Sequence, residues 1–498
     1  MSFETWTLED AEIRLIDGDR GKNYPKQADF NASGHCLFLS AKNVTSSGFQ
    51  FSDPVFIGKE RHDLLRAGTL ERGDIVMTTR GTIGNVAYYD SSVSYPLVRI
   101  NSGMMIFRAN QELWNTRFLY YVLTSPVIQD QITSLTSGSA VPQLPARDLK
   151  KFALPKVPLS VQNRIEAIIS SLSDKLSLNQ RINQTLEQMA QAIFKSWFVD
   201  FEPVKAKIAA LEAGGSEEDA LLAAMQAISG DAQGCANAAG GRMPGAAKGD
   251  KLTRLQTEQP EQYAELRATA ELFPSAMQDS ELGEIPEGWT IAPFSNIARL
   301  DTTSVKPAQE PEKVWEHYSI PAFDEGATPA FETGTDIKSN KYKVYPTAVL
   351  SSKLNPHFPR TWIPDVQNPD AAICSTEFMQ FVPLEPQDRA FIAGMITSEP
   401  FQSGIMMRVT GSTGSRQRAQ PKQVAAMDVI LPNSELRAFY SRHTEAMYRM
   451  QSKNIWHARS LASLRDTLLP KLLSGELSVI DAGNQLTEEE LMPREEIN

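Results

Sequence analysis

The chain has 498 residues, of which 41% are hydrophobic and 22% charged, so it is too long for a single core and we expect two to four domains. No apolar run approaches the roughly 18 residues of a membrane span. The first ten residues lack the pattern of a signal peptide, and the three cysteines are too scattered for a disulfide framework, which excludes membrane and disulfide-rich secreted proteins and predicts a cytoplasmic protein.

Residues 1–157 are predicted to form a first domain of mixed α/β structure. Apolar or alternating runs separated by Gly, Asp and Ser predict strands. These strands cover residues 37–39, 75–78, 85–89 and 104–107, and helices are expected at 113–123 and 127–133.

A long amphipathic helix is predicted over residues 158–204, with Ser160 as its N-cap. Apolar residues recur in it at alternating steps of four and three, which is the seam of a coiled coil, and two asparagines lie near the middle of that seam. The seam residues are Ile165, Ile169, Leu172, Leu176, Asn179, Asn183 and Leu186.

Residues 205–288 are predicted to form a connector that is acidic and rich in Gly and Ala. Residues 206–288 hold 14 acidic and 6 basic side chains, and residues 481–498 hold 6 and 1. The remainder of the chain is therefore slightly basic although the net charge is −11, so a nucleic-acid partner is not excluded. Flexible segments and short helices at 217–229 and 260–271 are expected here.

The second half of the chain repeats the plan of the first. Trp6 and Trp289 are 283 residues apart, and the Leu-Pro pairs at 154–155 and 431–432 are 277 apart, which indicates a diverged tandem duplication. We expect a second domain at 289–433, a second long helix at 434–478 ending near Gly475, and an acidic tail at 479–498. The second seam contains Met447, Met450, Asn454, Leu461 and Leu464.

The predicted fold class is α+β. Two mixed α/β domains would be joined by the two long helices, which would pair as an intramolecular antiparallel coiled coil with pseudo-twofold symmetry. Buried asparagines cost stability but specify register in such pairs. About 38 helical residues would make a rod of roughly 57 Å, about a turn and a half of B-DNA. The alternative is two unrelated surface helices.

Catalytic motifs are absent from the sequence. It has no G-x-x-x-x-G-K-[ST] phosphate loop and no G-x-G-x-x-G after a strand, and its six histidines form no recognisable acid–base pair. Asn355-Pro356-His357-Phe358 resembles the Asn-Pro-Pro-aromatic motif of amino-methyltransferases but lacks the second proline, so it predicts a turn. We expect no catalysis and no bound metal in this chain.

Two segments in each half are candidates for DNA contact. In one, a loop rich in Gly, Ser and Thr precedes Gln and Arg side chains; in the other, hydroxyl and basic residues follow an apolar strand. Hydroxyls and backbone amides suit phosphates, whereas Gln and Arg suit base edges. The alternatives are solvated basic loops and polar hairpin caps. The candidates are Thr79, Arg80, Ser137, Ser139, Gln143 and Arg147, then Lys353, Arg408, Ser412, Thr413, Ser415, Arg416, Gln417, Arg418 and Lys422.

Along nearly its whole length the chain resembles the DNA specificity (S) subunit of type I restriction–modification systems. The resemblance is carried by LERGDIVMTTRGTIGNVAY, LKKFALPKVPLSVQNRI and above all LNQRINQTLEQMAQAIFKSWFVDFEPV, and in the second half by ELGEIPEGW, LSSKLNP and LRDTLLPKLLSGEL.

This resemblance implies a non-catalytic subunit that recognises an asymmetric, bipartite site in double-stranded DNA. Each domain would be a target recognition domain, and the paired helices would set the spacer and dock two methyltransferase (M) subunits. These bind S-adenosylmethionine and methylate adenine, and restriction (R) subunits that use ATP and Mg would join them.

Two features depart from the family pattern. The connector is long, and Pro470 is expected to interrupt the second helix. The alternatives to an S subunit are a self-sufficient DNA methyltransferase, which would need a cofactor fold that the sequence lacks, and a coiled-coil scaffold without DNA contacts.

Overall fold

A computed structural model describes residues 3–136, 143–238, 248–411 and 417–491. The strands are β1 Thr5–Thr7, β2 Ile13–Asp17, β3 Phe30–Asn31, β4 Cys36–Phe38, β5 Val44–Thr45, β6 Gly48–Phe49, β7 Phe56–Ile57, β8 Ile75–Thr78, β9 Val86–Tyr88, β10 Val98–Arg99, β11 Met104–Ala109, β12 Ala153–Pro155, β13 Met277–Gln278, β14 Ile285–Pro286, β15 Thr290–Pro293, β16 Ala298–Asp301, β17 Ser304–Val305, β18 Val314–Tyr318, β19 Ala330–Thr333, β20 Lys341–Lys343, β21 Val349–Ser352, β22 Thr361–Trp362, β23 Ala372–Cys374, β24 Phe378–Pro383, β25 Val409–Thr410, β26 Arg418–Ala419 and β27 Asp428–Leu431.

The helices are α1 Lys59–Asp63, α2 Thr116–Thr124, α3 Pro126–Thr136, α4 Ala146–Leu149, α5 Leu159–Phe198, α6 Glu202–Glu212, α7 Glu217–Ala238, α8 Lys248–Glu258, α9 Pro260–Glu271, α10 Ile320–Asp324, α11 Arg389–Thr397, α12 Glu399–Met406, α13 Pro421–Ala425, α14 Ser434–Ser474 and α15 Val479–Leu491. No helix in the part of the chain that the structure describes is both long and apolar enough to cross a membrane.

The chain divides into two compact units. Unit 1 comprises Met1–Leu176 and Ser460–Asn498, and unit 2 comprises Ser177–Arg459. Each long helix therefore contributes residues to both units.

Unit 1 is built on two four-stranded sheets. One has the order β2-β11-β8-β9 with antiparallel neighbours, and the other has the order β10-β4-β7-β3, in which β10 and β4 are parallel. The predicted strands at 75–78 and 104–107 lie in β8 and β11. Every residue of β8 and the first four residues of β11 are buried, which accounts for their apolar composition. The helices predicted on either side of Pro126 are confirmed as α2 and α3.

Unit 2 repeats the topology of the antiparallel sheet, which confirms the duplication. Its antiparallel sheet has the order β16-β24-β21-β22, and its second sheet β17-β20-β23-β18-β19 again contains one parallel pair, β18 with β23. The Leu-Pro junctions are equivalent as well. Trp6 pairs with Leu154 between β1 and β12, and Thr290 pairs with Leu431 between β15 and β27.

In unit 1 the beginning of α5 packs with the end of α14 in one hydrophobic core. From α5 this core contains the predicted seam residues Ile165, Ile169 and Leu172, all buried, and from α14 it contains Leu461 and Leu468. Leu176 and Leu464 pack against the same core and are partly buried. The first residues of one helix thus lie beside the last residues of the other, as expected for an antiparallel pair.

In unit 2 the end of α5 packs with the beginning of α14 through polar as well as apolar contacts. Asn183 Nδ2 donates to the Gln451 carbonyl at 3.1 Å, and Asn454 Nδ2 donates to Asn183 Oδ1 at 2.9 Å. Asn179 Nδ2 lies 3.2 Å from His457 Nδ1. The polar centre predicted for the helix pair is therefore a hydrogen-bonded layer between the two helices.

The register predicted for α14 is wrong at Met450. This side chain is 48% exposed, and its neighbour Gln451 contacts Asn183 instead, since Gln451 Nε2 donates to the Asn183 carbonyl at 3.0 Å. A strict 3.5-residue repeat drifts from a helix with 3.6 residues per turn, so the position that faces the partner helix can shift by one residue along a long seam. Leu186 and Met447, also predicted in the seam, are half-buried.

Both ends of the long helices differ in detail from prediction. Helix α5 begins at Leu159, so Ser160 lies in its first turn and is not the N-cap. Pro470 does not interrupt α14, which continues through it to Ser474. Proline removes the donor to the carbonyl four residues earlier, and that residue, Asp466, is exposed, so water is able to satisfy the group. Gly475 follows with φ of 73°, as expected for a C′ glycine.

The connector contains more helix than predicted. The helix expected at 217–229 continues as α7 to Ala238, the helix at 260–271 is α9, and α6 and α8 are additional. Helices α7, α8 and α9 share a small core of Leu221, Ala224, Met225, Leu252 and Ala270. The described parts of the connector are therefore folded within unit 2.

Candidate nucleic-acid interface

In unit 1 the backbone joins the two candidate segments. The Leu144 amide donates to the Thr79 carbonyl at 3.0 Å, and Arg80 and Gln143 form an isolated antiparallel bridge. The segment that follows β8 is thereby fixed against the segment that precedes α4. Two stretches more than 60 residues apart in sequence form one surface, which we call reading surface 1: Arg80, Gln143 and Arg147.

The side chains of reading surface 1 face solvent. Arg80 and Gln143 are exposed, and the Arg147 side chain is 84% exposed, with Nε 3.7 Å from Asp148 Oδ2. An exposed ion pair at that distance contributes little energy, so Arg147 is available to an anionic ligand. Gln143 offers an amide, the group that pairs with adenine in two hydrogen bonds.

Thr79 does not belong to this surface. It is 5% exposed, and its amide donates to the Gly103 carbonyl at 2.8 Å while its carbonyl accepts from Leu144. The hydroxyls just before it and at the equivalent place in unit 2 are also buried. Thr78 Oγ1 accepts from the Asn85 amide at 3.1 Å, and Ser352 Oγ accepts from the Leu354 amide at 3.2 Å. The alternative of polar hairpin caps is thus correct for these hydroxyls.

Unit 2 repeats the same junction. The Ala419 amide donates to the Lys353 carbonyl at 2.9 Å, and Leu354 and Arg418 form an isolated antiparallel bridge. The Asn355 amide also donates to the Gln417 carbonyl at 3.0 Å. Here the segment that follows β21 lies against β26, which pairs with β25. Reading surface 2 consists of Lys353, Arg408, Gln417, Arg418 and Lys422.

The charges on reading surface 2 are partly neutralised within the unit. Arg418 Nε lies 3.0 Å from Glu377 Oε2, and Nη2 lies 3.1 Å from Oε1, so the two groups form a fork. The hydrogen bonds that the Arg418 guanidinium donates to this carboxylate raise its pKa, so it remains charged. Arg408 Nη1 donates to the Gly404 carbonyl at 2.9 Å, and Lys422 is exposed.

Some of the candidates are not described by the structure. Ser137, Ser139, Ser412, Thr413, Ser415 and Arg416 lie outside the described residues. Their contact with DNA stays a prediction from the sequence.

The sequence prediction missed Glu377 and the polar pair beside it. Glu377 lies between β23 and β24, more than 40 residues from Arg418, and no local pattern links the two. Gln420 Nε2 donates to Thr410 Oγ1 at 2.6 Å across the β25-β26 hairpin.

The described residues contain no group of three or more His, Cys, Asp or Glu side chains that could hold a metal ion. Burial raises the pKa of Cys36 to about 11 and that of Cys374 to about 12. Both thiols are buried and are protonated near neutral pH.

Comparisons with known proteins agree with one family. The sequence model described as "Type I restriction modification DNA specificity domain" matches residues 11–188. The HindI specificity subunit of Haemophilus influenzae, a type I restriction enzyme subunit, is 26% identical over 487 residues, which cover 92% of this chain and 98% of that protein. The MjaIX specificity subunit of Methanocaldococcus jannaschii is 28% identical over 134 residues, 27% of this chain and 30% of that protein.

A solved structure shows the same fold. The crystal structure of a type I restriction–modification S subunit from M. genitalium aligns with a TM-score of 0.50 and 12% sequence identity, covering 95% of this chain and 96% of that one. The family match lies in the first half, the HindI relative spans both halves, and the fold repeats in each. The chain is therefore similar, in sequence across both halves and in fold, to the DNA specificity subunits of type I restriction–modification systems.

Proposed function

We propose that each reading surface recognises one half of an asymmetric, two-part site in double-stranded DNA. The observation that carries the proposal is the repeated junction. Arg80 and Gln143 in unit 1, and Leu354 and Arg418 in unit 2, form the same backbone bridge between the same two segments. Duplicated backbone with unequal side chains suits two related but different half-sites.

The side chains on these surfaces fit the two kinds of contact that DNA requires. Arg147 and Lys422, both exposed, suit phosphates, which position a protein without specifying sequence. Gln143 and Gln417 suit adenine, and Arg80 suits guanine. Each well-recognised base pair supplies roughly 1–3 kcal/mol of discrimination. Two modest surfaces held in one chain become one specific binder through effective concentration.

We further propose that the paired long helices set the unread spacer and dock two M subunits, through which R subunits join. The family assigns adenine methylation with S-adenosylmethionine to the M subunits, and cleavage with ATP and Mg to the R subunits. This chain would hold none of these cofactors and would act in the cytoplasm, where the DNA is. The HindI relative is by name one subunit of a restriction enzyme, which supports assembly with other subunits.

The test is reconstitution of the chain with its M partner. The chain alone is expected to transfer no methyl group and cut no DNA, and together with the M subunit it should methylate adenines in one two-part motif. Mapping methylated adenines in the host genome, with and without this chain, identifies that motif. Methyl transfer by the isolated chain would contradict the proposal and favour a self-sufficient methyltransferase.

The remaining alternative is a helical scaffold that does not touch DNA. It predicts that changing Arg416 and Arg418 together to Gln leaves both the DNA affinity and its dependence on salt unchanged. The proposed function predicts weaker binding and a shallower salt slope, because each phosphate contact contributes roughly 0.9 to that slope.

A further inference from the structure

The turn between β21 and β22 presents an aromatic side chain beside reading surface 2. Phe358 is 61% exposed, and its ring centroid lies 4.7 Å from that of His357, which is also exposed. The turn begins at Asn355, whose amide is bonded to the Gln417 carbonyl. An exposed aromatic group is therefore attached directly to the segment that carries Gln417 and Arg418.

The turn is held rigidly at both ends. The Phe358 amide donates to the Asn355 carbonyl at 2.9 Å, and Asn355 has a left-handed φ of 48°. On the other side the Ser352 amide donates to the Arg360 carbonyl at 2.9 Å. The Arg360 guanidinium forks onto Asp324, with Nε 2.6 Å from Oδ1 and Nη2 2.9 Å from Oδ2.

Rigidity matters because it reduces the entropy lost when a ligand is bound. Pro356 and Pro359 fix φ on either side of the His357-Phe358 pair. A ring that is already positioned contributes more of its contact energy to binding than one on a mobile loop. The turn thus has the features of a preorganised contact.

The fold itself does not require this aromatic side chain. The equivalent turn of unit 1, between β8 and β9, contains Ile83, which is half-buried against the core, and glycines at 81 and 84 with positive φ. It has no aromatic residue. The exposed ring is therefore specific to unit 2, as expected for a group that distinguishes the two half-sites.

We propose that Phe358 makes an apolar contact with the bases of the half-site bound by unit 2, and so determines part of its specificity. This inference rests on the proposed function of reading surface 2. Phe is suited to such a contact because it packs against the thymine methyl group or the base plane and cannot pair with a phosphate. The neighbouring basic groups, Lys353 and Arg418, would bring the DNA backbone to the same place.

The test uses the full chain in complex with its M partner and measures binding to two duplexes across a salt series. One duplex carries the motif methylated in the host genome, and the other lacks it. Phe358→Ala is expected to weaken binding to the first duplex roughly tenfold and to the second less than twofold, with an unchanged salt slope. Phe358→Trp should retain most of the affinity.

Leu384→Ala is the matched control. Leu384 is 52% exposed and directly follows the last residue of β24. Ser352, beside the turn, pairs with the first residue of β24, so Leu384 lies at the other end of the same strand, away from the turn. It should bind both duplexes as the unchanged complex does. Equal losses on both duplexes in folded Phe358→Ala, or no loss on either, would overturn the inference. Failure of the unchanged complex to distinguish the duplexes would contradict the proposed function itself.

Discussion

The charge on reading surface 2 depends on Glu377 as much as on Arg418. The Arg418 side chain is 43% exposed and the Glu377 side chain 28%, so the fork is partly solvated and contributes less than about 1 kcal/mol to stability. If reading surface 2 binds DNA as proposed, phosphates would approach close to this carboxylate. Glu377 would then limit non-specific attraction to DNA more than it stabilises the fold.

Glu377→Gln is expected to strengthen binding to DNA that lacks the recognition motif by roughly three- to tenfold at low salt, and to steepen the salt slope by up to about one unit. The substitution leaves Arg418 charged without its internal counter-ion. The affinity is measured by titrating a duplex without the motif at several salt concentrations. Glu385→Gln, an exposed carboxylate after the opposite end of β24, is the control. An unchanged slope would show that Arg418 does not approach phosphates.

At this scale the sequence predicted residue types better than their positions. Gln143, Arg80 and Arg147 are exposed as expected. The prediction that Thr79 contacts DNA was wrong because hydrogen bonds to Gly103 and Leu144 hold this residue in a buried position. Gly103 and Leu144 are distant from Thr79 in the sequence, so no local sequence pattern indicates these contacts.

Helix α11 approaches the long helices closely because residue 394 is glycine. A Cβ there would lie 2.4 Å from Phe194 Cδ2 and 2.9 Å from the Tyr440 hydroxyl. Both neighbours are buried, and Tyr440 Oη is held by a hydrogen bond to the Ala190 carbonyl at 3.2 Å. Because both rings are buried, neither can move without disturbing the core around it.

Gly394→Ala is therefore expected to destabilise unit 2 by about 1–3 kcal/mol, as overpacking of a tight core does. Gly230→Ala in α7 is the opposite case, since nothing lies within 4 Å of a Cβ there and alanine favours helix by about 0.5–1 kcal/mol. Thermal unfolding followed by circular dichroism should show a lower transition for the first variant and an equal or higher one for the second. Equal transitions in both would argue against close packing of α11.

The polar layer between α5 and α14 gives a second prediction for an element. Asn183→Ala removes two hydrogen bonds from a half-buried part of the seam. One is donated by Asn183 to the Gln451 carbonyl, and the other is donated by Asn454 Nδ2 to Asn183. Leaving such groups without partners costs about 1–3 kcal/mol. The melting temperature should fall by several degrees, whereas Gln184→Ala, exposed on the next position, should leave it unchanged. A variant as stable as the original chain would mean that water replaces both bonds.

The long helices were the part of the fold that sequence predicted best. A periodic pattern sustained from Ile165 to Leu186 specifies one buried face, and each α5 seam residue is buried or half-buried. The pattern failed where polar residues replace apolar ones, because Met450 and Gln451 both fit a seam by periodicity. Only the partner residue Asn183 decides between them.

At the scale of the whole molecule, the two duplicated units share backbone features and differ in the side chains that these features carry. Both units use the same strand order in the antiparallel sheet and the same bridge between the reading segments. The side chains on the two bridges differ, Arg80 with Gln143 against Leu354 with Arg418. Under the proposed function, this difference gives a target with two unlike halves, and each surface should affect only its own half.

This separation is tested by matched changes in the two units. Gln143→Ala and Gln417→Ala each remove one amide suited to adenine, so each should relax discrimination at a single base pair by about 1–3 kcal/mol, in different halves of the motif. The two effects should add in the double variant, because independent sites do not share partners. Methylated adenines are mapped in hosts that carry the M partner and each variant. If both single variants relax discrimination in the same half, the two units do not act as independent recognition domains. If each variant relaxes a different half and the spacing between the halves is unchanged, the loops determine base identity. The rest of the chain then determines the distance between the half-sites.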